Sequence, residues 1–320
     1  MNLTTPSAFV TGATGFVGQH LVRLLLNAGW RVTVLARSPE RVRAPGHVEI
    51  AQGDLRDARS VMAAMPTDLD AVFHVAANIN FSATHEQWLD NVVGTEHMLE
   101  AALARRAKRF VFTSTSAVWG LDHEHFDETS ERRGQQTGIA YIASKLAAEE
   151  RVQQAVCRGL HAVILNPGHV VGRSAGQGWQ RLFVQLQARK MPFAPPGVAS
   201  WCAVDALARA HLAAALRGES GTNYLIGGCD ASYLEFTREA AAALAVSEPS
   251  AAPAWLVRSS ARLEQWRFRM GGPTPEVGPD LAQILCGRLL FSSAKAEREL
   301  GHLRCDLGGL IRSALPVELT

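Results

Sequence analysis

Through the first half of the chain, short runs of consecutive apolar residues alternate with stretches whose apolar positions recur every three or four residues. The short runs lie at 7–11, 31–35, 48–51, 71–75, 109–113 and 162–165. The periodic stretches lie at 16–27, 86–105 and 137–157. Near-continuous apolar strands between amphipathic helices predict a parallel sheet covered on both faces. That is α/β, doubly wound architecture, in which ligands bind beyond the carboxyl ends of the strands. After Asn166-Pro-Gly168 the alternation loosens, and Gly and Pro become frequent at 172–178, 192–197 and 271–279. Residues 1–170 therefore read as the sheet domain and 171–320 as mainly a smaller substrate-side region. One strand at 223–226 is expected to return to the main sheet, and no internal repeat is evident.

Composition adds little to this picture but excludes several classes. Of 320 residues, 47% are hydrophobic and 19% charged, an ordinary soluble balance. A formal charge of +2 gives no reason to expect nucleic acid. No apolar run reaches a membrane span, and the first residues carry no basic, then apolar, leader pattern. The five cysteines are scattered, odd in number and without Cys-x-x-Cys, which fits reduced thiols in a cytoplasm.

Two motifs carry chemistry. The first, Thr11-Gly12-Ala-Thr14-Gly15-Phe16-Val17-Gly18, follows the first strand and opens the first helix. Gly12 permits a tight turn, Gly15 lets backbone approach a pyrophosphate, and Gly18 lets the helix pack on the sheet. The helix start then attracts phosphates. The second is Tyr141-Ile-Ala-Ser-Lys145. Four residues apart on a helix, the phenol and ammonium leave the same face. A phenol with an ordinary pKa near ~10 would be pulled down by that ammonium, towards the range useful for proton transfer.

The second strand ends Leu35-Ala36-Arg37, with Ala36 where an NAD site usually places an acid for the ribose 2′-hydroxyl. The Arg37 guanidinium suits a 2′-phosphate, so NADP(H) is favoured over NAD(H); the alternative for Arg37 is a solvated surface side chain. Arg41 either assists or faces water. Asp54, in Gly53-Asp54-Leu55, either accepts from an adenine amine or, like Asp57, caps the next helix.

With the glycine loop, the Tyr141–Lys145 pair and their order in view, the chain resembles the extended short-chain dehydrogenase/reductases of the NAD-dependent epimerase/dehydratase superfamily. The likeness continues through His74-Val-Ala76-Ala77, Asn91-Val-Val-Gly-Thr95, Thr113-Ser-Thr115-Ser-Ala-Val-Trp-Gly120, Asn166-Pro-Gly-His-Val-Val-Gly172, Ala203-Val-Asp205 and Phe291-Ser-Ser-Ala-Lys-Ala-Glu-Arg-Glu-Leu-Gly301. The resemblance implies a Rossmann fold and an enzyme. It makes Tyr141 the proton donor or acceptor, Lys145 the ribose-binding modulator, and Thr115 the hydroxyl on the reacting oxygen, with Ser114 and Ser116 competing for that last role. It gives Asn91 a part in a proton relay, beside the alternative of a helix-positioning amide. Thr14, Phe16, Val17, Leu55, Ala76 and Ala77 would touch the dinucleotide, and Pro167 and Val170 would lie along the nicotinamide. Pairing of two copies through main-domain helices, a homodimer, is a further family trait.

Within that family, 4,6-dehydratases follow the hydroxyl residue with Asp-Glu, where this chain has Ser116-Ala117. Epimerases commonly carry an acid after the second strand and Tyr-Phe-Asn after the sixth, where this chain has Ala36-Arg37 and Leu165-Asn-Pro-Gly168. Both departures resemble the dihydroflavonol-reductase-like branch, which reduces ketones or aldehydes with NADPH. An NAD-dependent nucleotide-sugar epimerase is the alternative, and a dinucleotide-binding sensor without turnover the third reading. Apolar and aromatic residues at 172–200 and 250–285 suggest a small apolar carbonyl substrate. No metal is expected at His123-Glu-His125, which lacks a third ligand. His74 and His169 are expected to satisfy local bonds. The stretch 255–270, with Arg258, Arg262, Arg267 and Arg269 among Trp, Leu and Phe, reads as a solvated amphipathic helix, a lid or a membrane contact.

Overall fold

A computed structural model describes residues 5–44, 46–79, 84–173 and 179–315. Seven parallel strands form the main sheet: β1 (Ser7–Thr11), β2 (Arg31–Ala36), β3 (Glu49–Gln52), β4 (Ala71–His74), β5 (Phe110–Thr113), β6 (Ala162–Pro167) and β10 (Asn223–Ile226). Their spatial order is β3-β2-β1-β4-β5-β6-β10. The order reverses between β1 and β4, and in open α/β sheets the ligand crevice lies at such a reversal, beyond the carboxyl ends. This is a Rossmann-type sheet. Every residue of β1, β4 and β6 is buried, as their unbroken apolar runs require, whereas three of the four β3 residues at the edge are exposed.

Helices cover both faces. They are α1 (Phe16–Asn27), α2 (Ala58–Ala64), α3 (Thr84–Trp88), α4 (Gly94–Ala104), α5 (Ala140–Cys157) and α7 (Val204–Arg217). The stretch expected as one helix at 86–105 is broken by a π-helical turn, Leu89–Val93, between α3 and α4. Asn91 sits within it. The helix expected from residue 137 begins at Ala140, because Gly138 adopts a left-handed φ of 68° and Gly134–Thr137 form a 3₁₀ turn.

Beyond residue 168, β7 (His169–Val171), β9 (Val198–Ala203), β11 (Cys229–Ser232) and β13 (Arg288–Leu289) make a second sheet, with β9 paired to each of the other three. β8 (Phe193–Ala194) pairs with β12 (Ser250–Ala251). Around them lie α6 (Gln180–Gln187), α8 (Tyr233–Ala243), α9 (Ala254–Arg269), α10 (Pro279–Leu285), α11 (Ala294–Leu300) and α12 (Leu307–Ala314). Trp201, Phe236, Phe183, Tyr233 and Phe291 fill a core between these elements and the main sheet. The segment between β6 and β7 is tight: a Cβ on Gly168 would lie 2.1 Å from the Ser200 carbonyl oxygen.

Candidate active site

The glycine loop has the shape that close phosphate approach requires. Gly12 holds φ +77°, and a Cβ there would lie 2.7 Å from the Ala76 nitrogen. A Cβ on Gly18 would fall 2.1 Å from the Gly12 oxygen, so only glycine lets α1 start against this turn. No side chain caps α1, and its first turn carries no acid. The positive end of the helix dipole therefore faces the crevice uncompensated, which fits a dinucleotide pyrophosphate.

At the end of β2, Arg37 is exposed. Near it, Arg56 donates to both Asp90 oxygens at 2.6 and 3.0 Å, and Asn78 Nδ2 donates to Asp90 Oδ2 at 2.9 Å. Burial would raise the Asp90 pKa, but the bonds from Arg56 and Asn78, with the positive charges of Arg56 and Arg37, hold it below the ordinary range. Asp57 caps α2 by accepting from the Arg59 amide. Asp54 Oδ1 accepts from the Arg56 amide at 3.0 Å in a local turn. The Leu55 carbonyl accepts from His97 Nδ1 at 2.7 Å. Arg56 was not singled out from sequence, since its partner is distant in the chain.

Tyr141, Lys145 and Glu149 share one face of α5 at four-residue steps. Lys145 is 1% exposed. Its ammonium donates to the Thr113 carbonyl at 2.6 Å and lies 4.2 Å from the Phe112 ring centroid. Burial pushes Lys145 down to about 7 despite the nearby Glu149 charge. Tyr141 is partly exposed, yet burial of its phenol pushes it up to about 12. The sequence expectation of a phenol lowered by its lysine is thus corrected: burial of the phenol raises it instead. Before any ligand binds, Tyr141 is a protonated donor at neutral pH.

Glu149 was missed by sequence reasoning. Its buried carboxylate accepts from Arg132 Nη1 at 2.5 Å, Asn166 Nδ2 at 2.6 Å and Asn223 Nδ2 at 3.1 Å. Asn166 Nδ2 also donates to the Thr115 carbonyl at 3.1 Å. The acid therefore ties α5 to the ends of β6 and β10 and to the backbone of Thr115. The available signal was Glu149 lying four residues after Lys145, on the same helical face.

Thr115 caps the 3₁₀ turn Ser116–Trp119, its Oγ1 accepting from the Ala117 amide at 3.3 Å. Ser114 and Ser116 are buried, and Ser114 Oγ has no hydrogen-bond partner among the described residues, while Thr115 remains partly exposed. Pro167 is buried at the end of β6, and Val170 is partly exposed on β7.

Asn91 joins the two halves of the crevice. Its Oδ1 accepts from the Asn78 amide at 2.7 Å, and Nδ2 donates to the Asn78 carbonyl and to Ser144 Oγ, both at 3.0 Å. Ser144 passes its hydrogen to the Tyr141 carbonyl at 2.8 Å. The Asn91 carbonyl accepts from Thr95, so Thr95 Oγ1 must accept from His74 Nε2 at 3.0 Å. His74 Nδ1 then accepts from Thr11 Oγ1 at 2.7 Å, and that oxygen accepts from the Ala76 amide. The imidazole is fully buried and neutral, its pKa pushed down to about 3 by burial and then by the Lys145 charge. Two hydrogen-bonded segments meet at Asn91, one reaching Thr11 through its backbone carbonyl and the other reaching the Tyr141 backbone through its side-chain amide. Ala77, the next residue, is exposed.

In the second core, His169 Nε2 and the Tyr233 hydroxyl share a hydrogen bond at 2.5 Å, with the Trp179 and Trp201 rings packed around the imidazole. Burial pushes His169 down to about 4. His123 Nε2 donates to the Trp119 carbonyl, and His125 is exposed. Among the described residues no helix is long and apolar enough to cross a membrane.

Residues 8–227 match the model of the NAD dependent epimerase/dehydratase family, and the chain belongs to it. It is an NAD(P)-binding enzyme of the short-chain dehydrogenase/reductase class. The chain is 29% identical over 308 residues to a putative dihydroflavonol 4-reductase of Synechocystis, covering 92% of this chain and 89% of that one. It is 31% identical over 308 residues to 4-hydroxy-2-methyl-3-oxo-4-farnesyl-3,4-dihydroquinoline-1-oxide ketoreductase of Stigmatella aurantiaca, covering 92% and 91%. The structure superposes with a TM-score of 0.74 on UDP-glucose 4-epimerase of Thermus thermophilus in complex with NAD, at 25% identity and 96% and 97% coverage.

Proposed function

We propose that this enzyme reduces the ketone or aldehyde of a small apolar substrate, with NADPH as hydride donor and Tyr141 as proton donor. The observation that carries the reading is the state of the pair on α5: a phenol held protonated, beside a lysine whose burial leaves it near neutrality. Bound NADPH supplies the hydride to the carbonyl carbon. Tyr141 gives its proton to the carbonyl oxygen as that oxygen gains charge, yielding the alcohol. The Thr115 hydroxyl donates to the same oxygen and fixes its position. Lys145, anchored on the Thr113 carbonyl, would bond the nicotinamide ribose and stabilise the phenolate left behind. Asn91 and Glu149 hold α5 and Thr115 in register, and neither is assigned to the reacting atoms.

Arg37, exposed directly after β2, supports NADPH over NADH, since its guanidinium would pair with the 2′-phosphate. Arg56 is less suited to a 2′-phosphate, because Asp90 already takes its guanidinium in bidentate fashion. An apolar substrate is supported by the farnesyl-bearing compound in the name of the Stigmatella ketoreductase. The likeness to an NAD-bound UDP-glucose 4-epimerase keeps nucleotide-sugar epimerisation as the second reading. The test is Tyr141→Phe. NADPH binding is expected to survive while turnover of a carbonyl panel falls by at least ~100-fold. Near-normal turnover would overturn the assignment.

A further inference from the structure

We propose that α9 docks this protein on the surface of an anionic lipid bilayer. The helix is amphipathic in the reverse of the usual sense. Ala261 is buried against the protein, yet the apolar stripe lies on the opposite side. Trp255 is 68% exposed, Leu263 57%, Trp266 59% and Met270, which ends the helix, 72%. These positions recur at intervals of three, four and eight residues and share one outward face with Ser259. A surface helix normally turns its apolar stripe to the core. This one turns it to solvent.

Charge completes the pattern and selects the occupant. Arg258, Arg262 and Arg269 flank the stripe on one side and Arg267 on the other, all exposed. Glu264 is the single acid of α9 and is only partly exposed. Long cationic side chains beside Trp and Leu suit a bilayer interface, where the apolar face enters the acyl boundary and the guanidiniums reach phosphates. A second copy of the same helix would bring four arginines against four, with no matching acids on either face. A lid over the chain's own crevice would need the stripe turned inward.

The placement also reaches the candidate site. α9 packs on α10, and α10 Gln283 donates to the Thr137 carbonyl at 3.1 Å, in the turn leading to Tyr141. Docking would therefore set the bilayer against a helix that is joined to the start of α5 through α10. This inference stands on the surface alone and does not depend on the reaction assigned above.

The test uses the full chain with vesicles of phosphatidylcholine alone, or of two parts phosphatidylcholine to one part phosphatidylserine, read by cosedimentation and by tryptophan emission. Binding to the anionic vesicles is expected, with a blue shift, weakening as salt rises. Phosphatidylcholine vesicles should bind at least ~10-fold more weakly, and each of Arg262→Gln, Arg267→Gln and Arg269→Gln should lose about fivefold. Leu263→Glu with Trp266→Glu should abolish binding with unchanged melting, since both side chains are exposed. Absence of vesicle binding, or binding that survives the double substitution, would overturn the proposal. So would a solution dimer that this double substitution converts to monomer, because the face would then join two copies of the chain.

Discussion

Asn91 Nδ2 donates to Ser144 Oγ at 3.0 Å, and through that hydroxyl a π-helical turn on one side of the crevice holds the backbone of Tyr141 on the other. The bond is buried, and the same amide also satisfies both backbone groups of Asn78. Asn91→Ala removes the amide that bonds the half-buried Asn78 backbone and the buried Ser144 hydroxyl, which costs about 2–4 kcal/mol. The expected result is a lowered unfolding midpoint together with a lowered kcat and little change in KM. A positioning role also requires rescue in part by Asn91→Ser, which restores a short donor. Equal loss in both variants, with kcat intact, would mean that the amide only stabilises the fold.

Lys145 gives a pH dependence whose sign can be worked out. Its ordinary pKa is 10.5 and its folded value is about 7, because burial disfavours the cation. Between those values the unfolded chain binds the proton and the folded chain does not, so stability rises with pH. The full burial penalty applies below pH 7 and is relieved towards 10.5. Lys145→Met has no such group. Across this window the wild type should gain on the variant by roughly 3–5 kcal/mol. Tyr141 opposes the trend above pH 10, since its raised value makes the folded state hold a proton the unfolded state has lost. Urea titrations of both proteins at several pH values check this; parallel curves would show that Lys145 does not titrate as described.

Arg37→Ala isolates the cofactor argument. NADPH should bind ~10–100-fold more weakly and NADH almost unchanged, the size of one charge-assisted contact. Calorimetric titration of both dinucleotides into both proteins decides it. No preference in the wild type, or a preference that survives the substitution, contradicts the role given to Arg37.

Glu149→Leu should destabilise the protein by about 2–4 kcal/mol, because Asn166 and Asn223 lose a buried acceptor. Arg132 is 36% exposed and recovers part of its loss in water, which limits the effect. Glu149→Gln retains an acceptor and should lose less. Denaturant unfolding of the two variants gives the comparison, and a larger loss for Gln than for Leu would contradict the account.

The glycine loop and the Tyr141–Lys145 spacing were legible in sequence because each is local: a strand end, a turn and one helical face. The sign of the Tyr141 shift was not. The sequence places an ammonium beside the phenol but not the apolar core against which the phenol is buried. Glu149 was hidden for a related reason, since Arg132, Asn166 and Asn223 come together only when α5, β6 and β10 pack. The π turn at Asn91 likewise depends on bonds to Asn78 and Ser144, which local helix propensity does not encode. For 255–270 the pattern revealed an apolar stripe, and only the fold shows that it faces away from the protein.

Hydride delivery with net reduction is the central claim. NADPH deuterated at the transferring C4 position, mixed with a ketone accepted in the carbonyl panel, tests it by mass spectrometry of the product. The account requires one deuterium on the carbinol carbon for each NADPH consumed, and almost none with Tyr141→Phe. Tightly held NAD that is never consumed, with a nucleotide sugar epimerised and no label gained, would contradict it.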